Sequence, residues 1–262
     1  MARSALLNVM VAAAMKAGRT LARDFGEVEN LQVSLKGPGD FVSAADKKAE
    51  KTLVEELSRA RPGYGFLAEE SDEIEGTDRA HRWIIDPLDG TTNFLHGIPI
   101  FAISIALERE GQIVAGVIFN PVMDELYVAE RGGGAFVNDR RMRVARRTAL
   151  PDCVIGTGIP HLGKAGHPAY LKTLGNVMLE SSGVRRNGSA ALDLAWVASG
   201  RFDGFWEDAL KPWDIAAGLL MVREAGGFVS DLQGGDTMMQ SGDVCAGNEQ
   251  IHRRLLATLA RN

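Results

Sequence analysis

The chain has 262 residues, 45% of them hydrophobic and 24% charged, which allows a core large enough to fold without a structural metal or disulfide. A net charge of −5 at pH 7 argues against a predominantly nucleic-acid-binding surface and leaves room only for a local basic patch. Cys153 and Cys245 lie far apart, without metal-ligand spacing, and read as buried thiols of a reducing cytoplasm.

The opening ARSALLNVMVAAAMKAG loosely imitates a signal peptide, but Asn8 interrupts the apolar stretch and Lys16, Arg19 and Arg23 carry the pattern past it. Leu6, Met10, Ala13, Ala17 and Leu21 recur at helical spacing, which predicts an amphipathic first helix ending near Phe25. No run is apolar for long enough to span a membrane, so a cytoplasmic protein is expected. KGPGD (36–40) reads as a loop, because glycines flanking a proline continue neither a helix nor a central strand. Asp46 then precedes a helix over 47–60 with Ala49, Leu53 and Leu57 on one face, stopped by Pro62-Gly63. YGFLAEES reads as a strand finishing on Glu69 and Glu70, and Trp83-Ile84-Ile85 as a strand stopping at Asp86.

From Ile100 to Leu107 the chain is apolar on nearly both faces. EREGQ, NPVMDE, GGG and VNDR mark turns between IVAGVIF and LYVAE, giving an antiparallel meander. After Cys153 the texture changes. CVIGTG, GVRRN, GFWE, GFVSD and VCAG read as short strands, separated by helical stretches near 168–180, 190–199, 214–225 and 249–260. The expectation is an α+β first domain, 1–147, carrying the acidic motifs, and an α/β second domain, 148–262, completing a cleft at their interface.

Three acidic positions invite chemistry: Glu69-Glu70, Asp86 with Asp89 in DPLDGTTN, and Asp214 in KPWDIAAG. Each alone can be a turn residue or helix cap. Together, at strand ends and helix starts, they are placed to converge on one face, where they repel one another unless cations intervene. Hard divalent ions such as Mg²⁺ take oxygen ligands and are commonly held by carboxylates plus substrate phosphate. Pro87 has no N–H and tightens a turn that can aim the Leu88 carbonyl at the same ion, and Gly90 permits close backbone approach. A helix starting at Thr91-Thr92-Asn93 would offer free N–H groups to phosphate, so the pattern points to metal-assisted phosphoryl transfer to water. IIDPLDGT also resembles the DxDGT signature of haloacid dehalogenase-type phosphatases, but here two residues separate the aspartates rather than one. There is no GxSxG, and His81, His96, His161, His167 and His252 show no metal-binding pairing.

AEES (68–71), DPLDGTTNF (86–94), and PWDIAAG followed by REAGG (212–227) resemble, in order and separation, the three acidic motifs of the inositol monophosphatase family, over essentially the whole chain. Ala68 stands where many members have glycine. The resemblance implies a layered αβαβα sandwich, commonly a homodimer, that is lithium-sensitive and uses two or three Mg²⁺ ions. Glu69, Asp86, the Leu88 carbonyl, Asp89 and Asp214 would bind the metals, with Asp86 bridging two. Thr91, held by Asp46 and sharing a water with Glu69, would help activate the attacking water, making Glu69, Thr91 and Asp46 the catalytic residues. Leu88, Asp89, Gly90 and Thr91 would line the phosphate, Gly90 and Thr91 through backbone N–H groups. Glu207 would bond polyol hydroxyls, Arg185, Ser189 and Ala190 would shape the substrate pocket, and Lys36 would approach the metals from outside. The implied reaction is hydrolysis of myo-inositol monophosphate without a phosphoenzyme. Similar metal sites also serve fructose bisphosphate, histidinol phosphate and 3′-phosphonucleotides.

NDRRMRVARR packs Arg140, Arg141, Arg143, Arg146 and Arg147 around one turn. Such a patch suits nucleic acid or an acidic partner, and some bacterial relatives bind transcription machinery; a solvated sheet edge is the plainer alternative.

Overall fold

The computed structural model describes residues 3–27, 33–37, 40–163 and 165–261, with backbone alone at 33–37 and 40–42. Helices α1 (Ala5–Phe25) and α2 (Ala44–Ala60) form an outer layer, linked by a hairpin of β1 (Val33–Gly37) and β2 (Asp40–Ser43). They cover a seven-stranded sheet whose strands lie in chain order: β3 (Tyr64–Ala68), β4 (Asp78–Asp89), β5 (Ala102–Arg109), β6 (Gln112–Asn120), β7 (Glu125–Glu130), β8 (Gly134–Val137) and β9 (Arg140–Arg141). β3 runs parallel to β4; from β4 onward every pairing is antiparallel. The short helix α3 (Thr91–Leu95) bridges β4 and β5.

The second half supplies β10 (Val154–Thr157), α4 (His167–Glu180), β11 (Gly183–Arg185), α5 (Ala190–Ala198), β12 (Gly204–Glu207), α6 (Pro212–Glu224), β13 (Phe228–Ser230), α7 (Met238–Ser241), β14 (Val244–Gly247) and α8 (Glu249–Leu259). Its five strands are ordered β11-β10-β12-β14-β13. The first three are mutually parallel, and β14 runs antiparallel to both its neighbours. α5 and α6 lie between the two sheets, and α4 and α8 cover the far face of the smaller one. The architecture is therefore the expected αβαβα sandwich, with mixed sheets.

Burial on both faces explains the unbroken apolar strands. In β5, Ile103, Ile105 and Leu107 join the core under α1 and α2, while the small Ala102 and Ala106 meet the layer of α5 and α6. Trp83 and Ile85 of β4 likewise face the first core and Ile84 the second. Because α6 packs on the large sheet, the second half of the chain contributes to the central core of the first. A third core, with Ile155, Val177, Trp206, Ile251 and Leu255, lies between the small sheet and α4 and α8.

Three local expectations change. Lys36, Gly37 and Asp40 belong to paired strands rather than a loop, leaving only 38–39 between them, outside the described residues. Helix α2 begins before Asp46: Ser43 is its N-cap, and Asp46 occupies the third position of a reciprocal capping box. β4 does not stop at Asp86 but continues to Asp89 through a bulge.

Candidate active site

The bulge accounts for the spacing of DPLD. Side chains alternate along a strand, so residues three apart normally point to opposite faces. Asp86 pairs with Ser104 and Asp89 with Ala102, so β4 carries one residue more than β5 across this interval. The extra residue restores parity and turns both carboxylates the same way. Pro87, which cannot donate to a ladder, sits inside the irregularity where that loss costs nothing. The Leu88 N–H donates to Asp86 Oδ1 at 2.8 Å, closing the turn. Gly90, at φ +97°, then starts α3. Phe94 anchors that helix in the core, edge-on to Phe101 at 5.1 Å and tilted against Phe25 of α1 at 5.7 Å.

Asp214 arrives from the first turn of α6, where its Oδ2 accepts the Lys211 N–H at 2.7 Å. Ser104 Oγ, on the residue paired with Asp86, donates to the Trp213 carbonyl at 3.2 Å and so ties α6 to the strand below. Carboxylate oxygens of Asp86, Asp89 and Asp214 all lie within 4.8 Å of one another. Glu69, directly after β3, shares a hydrogen bond with Asp86 and places its charge near Asp89 and Asp46. Asp46 is fully buried and accepts from Ser43 N at 2.9 Å, Ser43 Oγ at 2.5 Å and Thr91 Oγ1 at 3.0 Å. The Thr91 hydroxyl also reaches the Leu88 carbonyl at 3.1 Å.

Burial, and then mutual repulsion, raises the proton affinity of Asp86, Asp89 and Asp46. Asp86 is pushed well above the ordinary carboxylate range, first by burial and then by the charges of Glu69, Asp89 and Asp214. Asp89 rises to about 6, again chiefly through burial, although hydrogen bonds from Ser189 and Ala191 hold it down. Burial also raises Asp46, against the hydrogen bonds from Ser43 and Thr91. A cation among these oxygens reverses the electrostatic penalty. The donor set, all carboxylate with a carbonyl at its edge, suits a hard divalent ion.

Asp89 faces the second half of the chain. Its Oδ2 accepts from Ser189 Oγ at 2.6 Å and Ala191 N at 2.8 Å, which seats the start of α5 on the metal loop. A cavity of about 130 Å³ opens there, with Asp89, Asp214, Ser189, Ala190 and Glu207 in its wall. Glu207 ends β12 and reaches across Gly158: a Cβ at that position would lie 1.8 Å from Glu207 Oε1. The structure thus brings together Asp46, Glu69, Asp86, Leu88, Asp89, Gly90, Thr91, Ser189, Ala190, Glu207 and Asp214. Arg185 is not among the lining residues. It is exposed at the end of β11 with its guanidinium on the Val184 carbonyl, and Arg186 lines the cavity instead. The Lys36 side chain lies outside the described residues. Gly158 and Ser104 escape sequence reasoning because each acts on a partner remote in sequence, Glu207 and Trp213; Ser43, three residues before Asp46, does carry a local signal, the capping box.

The arginine stretch is partly committed to the fold. Arg147 Nε bonds Asp203 Oδ1 at 2.6 Å, neutralising a carboxylate whose side chain is 0% exposed. Arg141 lies over the Phe136 ring at 5.9 Å. Arg140, Arg143 and Arg146 are exposed along and beyond the edge strand β9.

The family model described as the inositol monophosphatase family matches residues 2–262. An inositol-1-monophosphatase of Mesorhizobium japonicum is 71% identical over 261 residues, spanning 100% of this chain and 98% of that protein. The crystal structure of extragenic suppressor protein suhB from Bartonella henselae superposes with a TM-score of 0.97 at 65% identity, covering 99% of this chain and 100% of that one. The Nus factor SuhB of Escherichia coli K12 is 43% identical, over 97% of this chain and 95% of that protein.

Proposed function

The chain belongs to the inositol monophosphatase family, and from that premise we propose that it is a Mg²⁺-dependent hydrolase of myo-inositol 1-phosphate, releasing inositol and phosphate. The convergence of the bulged Asp86–Asp89 pair with Asp214 carries this reading. Glu69, Asp86, the Leu88 carbonyl, Asp89 and Asp214 would hold two or three ions, and Mg²⁺ bound there would supply an acidified water and neutralise charge on the leaving oxygen. Thr91 donates its hydroxyl proton to Asp46, which leaves its oxygen able to accept a hydrogen bond from the attacking water, with Glu69 as the second acceptor. Backbone N–H groups of Gly90 and Thr91 orient the phosphate, so positioning and charge neutralisation replace a phosphoenzyme. Glu207 accepts from polyol hydroxyls, while Ser189, Ala190 and Arg186 shape the same wall. Lithium inhibition and a cytoplasmic location belong to the same proposal; no helix among the described residues is long and apolar enough to cross a membrane.

A homodimer is also proposed, supported by α4, which exposes Leu171, Met178 and Leu179, the last 88% exposed. Light scattering should return twice the monomer mass. The Escherichia coli relative called a Nus factor supports a second reading, in which exposed Arg140, Arg141, Arg143 and Arg146 contact transcription machinery or RNA in addition to catalysis. Loss of Asp89 should abolish hydrolysis and spare that contact.

Phosphate release from inositol 1-phosphate, fructose 1,6-bisphosphate, histidinol phosphate and 3′-phosphoadenosine 5′-phosphate, with Mg²⁺ or EDTA, tests the substrate. Leadership by inositol 1-phosphate supports the proposal. Leadership by another ester keeps the chemistry and reassigns the substrate, and silence on all four favours the binding role.

A further inference from the structure

Three side chains outside the acidic cluster join the two halves of the site. Asn93, 5% exposed and two residues beyond Thr91, donates through Nδ2 to the carbonyls of Ile100 and Asn187, each at 2.7 Å. Asn187 gives its own Nδ2 to Asp193 Oδ1 at 2.8 Å, and Asp193, at the start of α5, is 1% exposed. Between them lies Gly188 at φ +85°. A Cβ there would stand 3.1 Å from Asn93 Nδ2 and 2.9 Å from an Arg186 guanidinium nitrogen, so a side chain would push the turn away from α3. The residues this network holds are those of the cavity wall, Arg186, Gly188 and Ser189, and Ser189 is also the donor to Asp89. Burying a carboxyl is costly, and here its hydrogen bond goes to the turn rather than to the helix that carries it.

Taking the phosphatase reading as given, we propose that Asn93, Asn187 and Asp193 are positioning residues: they lock the 186–189 turn against the start of α3, so that the wall receiving the alcohol half of the ester keeps a fixed distance from the phosphate and metal loop. Neither Asn187 nor Asp193 lines the cavity itself.

The test compares Asp193→Ala, Asp193→Asn, Asn187→Ala and the double alanine variant on inositol 1-phosphate and on p-nitrophenyl phosphate, which lacks the polyol, at saturating Mg²⁺. For Asp193→Ala, KM for inositol 1-phosphate should rise about tenfold with kcat within about threefold, the scale of one lost hydrogen bond. KM for p-nitrophenyl phosphate should stay within about threefold. Asp193→Asn should recover the wild-type KM, because its amide oxygen can accept from Asn187 Nδ2. The double variant should be no worse than the worse single one. Asn187→Ala, on the partly exposed turn, gives the same reading if Asp193→Ala does not fold. Equal KM increases for both esters, a lowered Tm with unchanged KM, or failure of Asp193→Asn to rescue would overturn the proposal. A wild-type protein silent on both esters would overturn the phosphatase reading, and this proposal with it, whatever the variants do.

Discussion

Replacing Asp89 by Asn should inactivate the enzyme and yet stabilise the metal-free protein. In the folded state the Asp89 carboxyl sits at about 6 rather than 3.8, because burial and the neighbouring Glu69 charge disfavour its ionised form. A folded-state value above the unfolded one means that folding binds the proton more tightly. Stability from this group is therefore fully present below about 4, declines as pH rises through 6, and stays lowered above. The difference corresponds to at most about 3 kcal/mol at pH 7.5. Asn keeps the local bonds, since one amide oxygen can accept from both Ser189 Oγ and Ala191 N, while its NH₂ replaces repulsion of Asp86 and Asp214 with donation. Thermal unfolding in EDTA at pH 7.5 should place the variant about 3–10 °C above wild type for a chain of this length, and the gap should shrink to about a third by pH 4.5 and close by about pH 3.5. With Mg²⁺ the order should reverse, because the wild type gains more from the ion. A variant less stable than wild type in EDTA at pH 7.5, or a gap that ignores pH, would refute the reasoning.

Thr91→Val keeps the shape of the side chain and removes the hydroxyl that bonds Asp46 and Leu88; kcat should fall on the order of 100-fold or more with KM within a few-fold, measured by steady-state phosphate release. Gly158→Ala should displace Glu207 and raise KM for the polyol ester while sparing p-nitrophenyl phosphate, a split that steady-state kinetics reads directly. Arg147→Ala leaves the buried Asp203 without its cation and should cost about 2–3 kcal/mol in urea unfolding, less than a fully buried pair because the arginine is 48% exposed.

Much of the layered fold was legible because burial on both faces writes itself as unbroken apolar strands, and the five short strands after Cys153 lie where turn residues bracket them. The acidic motifs were legible as types and positions. The β-bulge was not: Asp86 and Asp89, read on a regular strand, fall on opposite faces, and only the pairing with Ser104 and Ala102 reveals the extra residue. Asp46 looked like a residue ahead of a helix, whereas the cap is Ser43 and Asp46 turns inward to Thr91. The Arg147–Asp203 pair and the bonds among Asn93, Asn187 and Asp193 join residues with no shared periodicity, and α6 crosses to the large sheet over a long separation in sequence. Such contacts are decided by tertiary packing, which local propensity does not encode.

Titration of Mg²⁺ into EDTA-stripped protein by calorimetry, with phosphate release from inositol 1-phosphate followed on the same preparation, tests the carboxylate cluster most directly. Saturable binding that tracks the rise in activity, with both lost in Asp89→Asn, is the predicted result. Full activity in EDTA, or Mg²⁺ binding unchanged in the variant, would contradict the assignment of this cluster as the metal site of a phosphatase.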